Sequence, residues 1–341
     1  MRLIQAGASA AASRIALVSV SAAVLAAGCH VPGTGSGSGT TGSGSITVAA
    51  VRGIDTAPLQ MGISKGLFRQ HGLNVKIASY NSVAQEIQAL DSGQAQVAAG
   101  DYTDFFFAQA HGTDLRLIAD GYDAVANSIA ILTLPGYKIT APQDLVNRYV
   151  ATPPAEIPVR QPGQPYKGQP YNMPTLAAEQ VLQSEGLSPT SVLWQPTQAG
   201  DLIGALRSGR VKAILATEPY IFEAEELGAV EVLDSSNGVT GNLPLSGYFS
   251  LASYAKNEPS NVEAFQAALS QAQSNASMGG GVQGVLPQYT GMNTRDTALA
   301  TLGTYPAALS VGQVQRVVNL MVDSGMIANP TWSVNDLVFR P

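Results

Sequence analysis

The chain has one cysteine, Cys29, and three histidines in 341 residues. A single thiol forbids an internal disulfide and leaves no thiolate cluster for zinc or iron. His30, His71 and His111 do not have the spacing of metal ligands; His71 and His111 each precede a helix-stopping glycine, where a cation suits the helix dipole. Charge is scarce as well. Asp, Glu, Lys and Arg make up 12% of the chain, against 45% hydrophobic residues. Such a composition belongs to a folded protein with substantial cores. Basic residues are in deficit. The first 28 residues hold Arg2, Arg14 and no acid, so the remaining sixteen basic residues face 24 acids, a net charge of −8. That balance argues against nucleic acid and against electrostatic binding to anionic lipid. No G-x-S-x-G, phosphate loop or Ser/His/Asp pattern stands out, and Gly279-Gly-Gly281 lacks a following Lys-Ser/Thr and reads as a helix break. No cofactor is expected. No apolar run reaches the ~20 residues of a comfortable membrane span.

What the sequence does have begins at its N-terminus. Arg2 and Arg14 precede an apolar run, Ile15–Ala27, which ends in Leu25-Ala-Ala-Gly-Cys29. This is the shape of a secretory signal peptide. Small residues before a cysteine resemble a bacterial lipoprotein cleavage site, with Ala26 where Leu is usual; the resemblance implies that Cys29 is lipidated and becomes the first mature residue. Residues 33–45 are all Gly, Ser or Thr, a flexible tether. The sixteen residues between Cys29 and Ile46 would reach on the order of 20–25 Å. Residues 1–28 are thus expected to be a signal peptide and 29–45 a lipid-bearing tether, placing an exported protein on the outer face of the cytoplasmic membrane.

From Ile46 onward, strand-length apolar runs alternate with helical stretches. Candidate strands are Ile46–Val51, Asn74–Ser79, Gln96–Ala99, Leu115–Ala119, Ser128–Leu134, Tyr149–Ala151, Val192–Trp194, Ala213–Ala216, Val230–Leu233 and Tyr248–Tyr254. Alternation of this kind implies an α/β fold with largely parallel sheets. Pro58, Pro174 and Pro219 mark helix starts, and Gly72, Gly112, Gly186 and Gly228 mark helix ends. Part of the pattern occurs twice: residues 87–112 align without a gap on 203–228, sharing Ile, Ala, Leu, Ser-Gly, Phe, Ala and the final Gly. Two lobes of similar design follow, with a ligand expected beyond the carboxyl ends of the strands.

Ordered motifs then carry a resemblance. Gly66-Leu-Phe-Arg-Gln-His-Gly-Leu-Asn-Val75 resembles the G-L-F-x-x-x-G-L-x-V stretch of solute-binding proteins of ABC importers, in the branch that handles aliphatic sulfonates, taurine, nitrate and the thiamine pyrimidine precursor. Leu90–Ala99 is similar to its L-x-S-G-x-x-D segment, with Gln96 in place of Asp. Ile139–Leu145, Leu206–Ile214 and Glu218-Pro-Tyr220 follow in the family's order. The resemblance implies a type II periplasmic-binding fold. Lobe one would be residues 46–130 plus 245–341 and lobe two 131–244, joined by two crossing strands, Ser128–Leu134 and Tyr248–Tyr254. A Pro/Gly/Gln-rich insertion between Thr152 and Pro174 departs from the pattern. The implied partners are a small-molecule ligand, a permease with its ATPase subunits, and the membrane through a lipid on Cys29; a monomer is expected.

The expected site is the set of loops between strand ends and helix starts: Arg52–Ala57, Tyr80–Val83, Gly100–Thr103, Thr152–Thr175 and Thr217–Tyr220. Helix N-termini offer free N–H groups to polar ligands. Candidate ligand-contacting residues are Arg52, Asp55, Thr56, Tyr80, Asn81, Asp101, Tyr102, Ser128, Thr152, Asn172, Glu218, Tyr220 and Tyr248. Several of the short polar ones could equally cap their helices. Asp55, Asp101 and Glu218 outnumber Arg52, the single basic residue in the short loops. A sulfonate or nitrate site would favour Arg and other donors, whereas carboxylates with tyrosines suit a neutral or amine-bearing ring. A heterocycle of the thiamine-precursor type therefore ranks first and an organosulfonate second. Enzymes on this fold that use a cysteine nucleophile or a cysteine-rich iron motif need thiols, and the only one here lies at the lipid site. A sensing lipoprotein with the same body is the other alternative.

Overall fold

A computed structural model describes residues 44–154, 171–188, 191–278 and 281–341. The signal peptide, Cys29, most of the tether, Gly279-Gly280 and most of the insertion lie outside the described residues.

Ten strands form two five-stranded sheets. They are β1 (Gly44–Ala50), β2 (Leu73–Ser79), β3 (Val97–Asp101), β4 (Leu115–Asp123), β5 (Ile129–Thr133), β6 (Tyr149–Thr152), β7 (Leu193–Pro196), β8 (Ala213–Thr217), β9 (Val230–Asp234) and β10 (Pro244–Leu251). The helices of the first half are α1 (Ala57–Ser64), α2 (Leu67–Gln70), α3 (Val83–Asp91) and α4 (Tyr102–Ala110). The second half has α5 (Met173–Ser184), α6 (Leu202–Arg207) and α7 (Tyr220–Glu226). After β10 come α8 (Ala252–Asn257), α9 (Pro259–Ser277), α10 (Leu286–Thr290), α11 (Thr294–Leu299), α12 (Val311–Asp323) and α13 (Val334–Leu337).

The sheets have the same design. The first runs β2-β1-β3-β10-β4 and the second β7-β6-β8-β5-β9. In each, three parallel strands are followed by an antiparallel one and an edge strand. The central strands β3, β5 and β8 are buried almost throughout, as strands covered on both faces must be, and their unbroken apolar runs follow from that. The chain passes between the sheets twice, at 124–128 and 235–243, directly before β5 and β10. Apolar packing continues across the passage, because α12 packs on both α4 and α5.

The repeated sequence is a repeated structure. Gly93 and Gly209 both turn in the left-handed region, at φ 72° and 73°. The Ala95 N–H donates to Ala89 O, and the Val211 N–H donates to Ala205 O in the same place. β3 and β8 then begin at matching positions, and the units close at Gly112 (φ 105°) and Gly228 (φ 83°). Such angles are nearly free only to glycine.

The described boundaries move some expectations. Gly44 and Ser45, expected in the tether, pair with Leu73 and Asn74, so the ordered sheet begins before the first apolar residue. Ile129 and Ala130, expected in the first lobe, open β5 of the second sheet. Pro219 is the N-cap of α7 rather than its first residue. The run expected as Tyr248–Tyr254 starts earlier and gives way at Ala252 to α8.

Candidate functional site

A cleft of about 290 Å³ lies between the two sheets. All five expected loops reach it. Gly53–Asp55 follows β1, Val83 begins α3, Gly100 and Asp101 end β3, Pro153 and Pro154 follow β6 with Asn172–Pro174 opposite, and Thr217-Glu218 ends β8. Val51, Ala99, Asp104, Tyr122, Ser128, Ile129, Leu245, Ser246 and Thr301 complete the wall.

The wall is acidic. Asp55, Asp101, Asp104 and Glu218 line it, and none of the described lining residues is Lys, Arg or His. Asp55 is partly exposed to the cleft; burial pushes its pKa up to about 6, against the opposing hydrogen bonds of Ser246 and the local backbone. Glu218 is likewise raised by burial, with the N–H groups of Thr301 and Phe222 pulling the other way. Its Oε1 accepts from Thr301 at 2.8 Å and its Oε2 from Phe222 at 3.1 Å. A low-polarity surrounding disfavours an unpaired anion. A ligand that brings N–H donors or positive charge would supply what this wall lacks, and a bare anion would not.

The loop after β1 is held from behind. Buried Glu86 accepts the Val51 N–H. Thr56 Oγ1 lies 3.0 Å from the Tyr289 hydroxyl, and Tyr305 donates its hydroxyl to Ile54 O at 3.0 Å. A Cβ at Gly53 would stand 2.4 Å from Asp55 Oδ1, so a larger residue there would push the Asp55 carboxylate aside.

Of the residues singled out from sequence, Asp55, Asp101, Ser128, Asn172 and Glu218 line the cleft. Asn172 also caps α5, accepting from the Thr175 N–H at 2.9 Å, and its amide donates to Pro153 O. Ser128 is tied to Val125 O at 2.7 Å. The others sit elsewhere. Arg52 is exposed, with its Nε donating to Ser79 Oγ at 2.7 Å. Asn81 is exposed too, with its N–H donating to Gln85 Oε1. Tyr80 and Tyr220 are half-buried against the cores of their own halves. Thr56 and Thr152 are buried at 2% and 0% exposure. Tyr102 and Tyr248, expected to face ligand, are core residues. Tyr102 stacks on Phe106 and donates to Asp120 at 2.7 Å, and Tyr248 lies against Phe265. The Tyr102 ring turns from α4 onto the sheet, over Gly247 of β10 and toward Asp120 of β4, and the Tyr248 ring turns from β10 toward α9, which the loop position alone does not reveal.

Sequence reasoning missed Asp104, Tyr122, Ser246 and Thr301. Asp104 sits in the first turn of α4 and could be read as a helix-dipole partner. Ser246 falls before the expected start of its strand. Tyr122 and Thr301 have no local signal, since only the tertiary fold brings them to the cleft. Of the insertion, Pro153-Pro154 and Asn172-Met173 line the cleft and Tyr171 is buried.

A family model described as NMT1/THI5 like matches residues 54–277. The chain belongs to this family. The matched span takes in every strand except β1 and all of the cleft wall except Val51, Gly53 and Thr301. No curated protein matches the sequence. Among solved structures, the alkanesulfonate-binding protein SsuA from Xanthomonas axonopodis pv. citri, bound to MOPS, is similar at a TM-score of 0.66 and 17% identity, over 87% of this chain and 98% of that one. The periplasmic nitrate-binding protein NrtA from Synechocystis PCC 6803 is similar at 0.64 and 13%, over 84% and 83%. The desulfurization enzyme DSZB is similar at 0.64 and 13%, over 86% and 96%. At these identities the likeness establishes the fold, a two-sheet α/β periplasmic-binding fold shared by binding proteins and at least one enzyme.

Proposed function

We propose that the protein is the extracytoplasmic solute-binding component of an ABC importer, held to the membrane by a lipid on Cys29. Two lobes, roughly residues 44–125 with 243–341 and residues 129–235, shut on a small molecule, and the permease reads the closed form. Ligand that touches both walls stabilises closure by its differential affinity. The single observation behind the choice of ligand is the wall itself: four carboxylates and no basic side chain among the described lining residues. It favours an N–H-bearing heterocycle of the thiamine-precursor type. The likeness to SsuA supports an organosulfonate as the second reading. The reading is of a binding protein and not an enzyme, because the only thiol lies in the lipid-site motif.

Calorimetry with an aminopyrimidine and an alkanesulfonate separates the two. We expect heat on adding the aminopyrimidine and none with the sulfonate. Tight sulfonate binding with no response to the heterocycle reverses the order. A ligand that binds also raises the melting temperature by mass action.

A further inference from the structure

Residues 291–304 form a strap with both ends fastened to the first half of the molecule. Just before it, the Tyr289 hydroxyl meets Thr56 Oγ1 at 3.0 Å. At its far end, Thr304 and Asp123 exchange backbone hydrogen bonds of 2.9 and 3.0 Å, and the Gly303 N–H donates to the Tyr122 hydroxyl. Between these anchors the strap touches the second half twice, both times around α7. Arg295 makes a two-pronged ion pair with Glu226, each bond 3.0 Å, and its guanidinium lies 5.9 Å from the Phe222 ring centroid. Further along, the Thr301 N–H donates to Glu218 Oε1 at 2.8 Å.

Glu218 is where strap and cleft meet. One carboxylate oxygen is held by its own helix through Phe222, the other takes the strap, and both Glu218 and Thr301 line the cleft. We propose that the strap is a latch holding the two halves together, and that Glu218 is the positioning residue that ties the latch to what occupies the cleft. The inference rests on the solute-binding reading above. A donor placed against Glu218 by a ligand holds its carboxylate in the position that accepts the Thr301 N–H, a charge-assisted bond. Opening the cleft leaves Glu218 with only its helical partner. The Arg295–Glu226 pair is exposed, with side-chain exposures of 66% and 45%; it adds a weak, salt-screened contribution.

Spin labels at cysteines replacing exposed Glu263 and Glu185, in the full chain carrying Cys29→Ser, report the separation of the halves without added solute. Thr301→Pro deletes the donor and leaves Glu218 untouched. It should shift the distribution to longer distances. Arg295→Ala should raise the open fraction by about two- to fivefold at low salt, and wild type in about 1 M salt should resemble it. If Thr301→Pro does not fold, Arg295→Ala and Glu226→Ala decide the question. Variants that superimpose on wild type overturn the latch. With an aminopyrimidine as probe, wild type should close further and Thr301→Pro much less; equal closure overturns the role of Glu218. Failure of the solute-binding reading looks different: neither an aminopyrimidine nor a sulfonate stabilises wild type, while the ligand-free distances still respond to the strap variants.

Discussion

Glu179 is a carboxyl whose surroundings decide its charge. It is buried on α5, in the second half of the molecule, at 1% exposure and accepts from the Trp194 indole N–H at 2.8 Å. Burial pushes its pKa up to about 8 from 4.5, with the indole bond acting in the opposite direction. Between those values the folded chain holds a proton that the unfolded chain has released. Stability therefore falls as pH rises through that window, and the loss is complete above the folded pKa. Asp120 and Asp123, raised to about 6 and about 7, slope the same way. Glu179→Gln keeps an acceptor for the indole and has no proton to lose. Urea midpoints of this variant should decline less between pH 5 and pH 8 than those of wild type; an identical decline would show that the carboxyl ionises freely in place.

At the scale of elements, the duplicated unit offers an internal comparison. Gly93 and Gly209 hold the same turn at φ 72° and 73°, so Ala at either position carries the cost of a left-handed residue, about 1–2 kcal/mol. The surroundings differ. Nothing lies within 4 Å of a Cβ at Gly93, whereas at Gly209 it would meet Lys212 Nζ and the Tyr137 hydroxyl at 3.2 Å. Gly209→Ala should thus lower the denaturation midpoint more than Gly93→Ala, and the reverse ranking would contradict this geometry. The repeat was legible because a Ser-Gly turn, a buried strand and a glycine stop each leave a mark in sequence. The strands were legible for the same reason: an apolar run in a sheet covered on both faces has few other uses. Where reading failed, the cause was local ambiguity. Tyr248–Tyr254 continues an apolar-aromatic pattern, yet only tertiary packing turns it into helix at Ala252. Tyr102 stands at a strand–helix junction beside Asp101, and one residue of helical rotation separates a cleft wall from a core. The strap left no sequence signal, since its meaning lies in Glu218 and Glu226, far upstream.

The molecule as a whole combines an acidic cleft with two chain passages that join its halves. Asn127 and Asn242, one in each passage, adopt positive φ angles of 64° and 51°. Few residues other than glycine tolerate that region as well as asparagine. If an N–H donor or cation is the ligand, binding needs the ionised wall. Asp55, with a pKa near 6, then makes affinity rise with pH through that value before levelling off; a titration by calorimetry from pH 5 to pH 8 checks the sign, and affinity that falls over this range would indicate an anionic ligand.

The order of the first sheet bears on how the chain is made. β10 lies between β3 and β4, so the ribbon emerging up to Asp123 lacks the strand that joins its two parts. Roughly the next 120 residues, carrying the entire second sheet, must be synthesised before Pro244–Leu251 can fill the gap. Non-local pairing of this kind is slow to form. Under the export proposed above, that delay is useful, because the first half cannot finish folding on the wrong side of the membrane while translation is still under way.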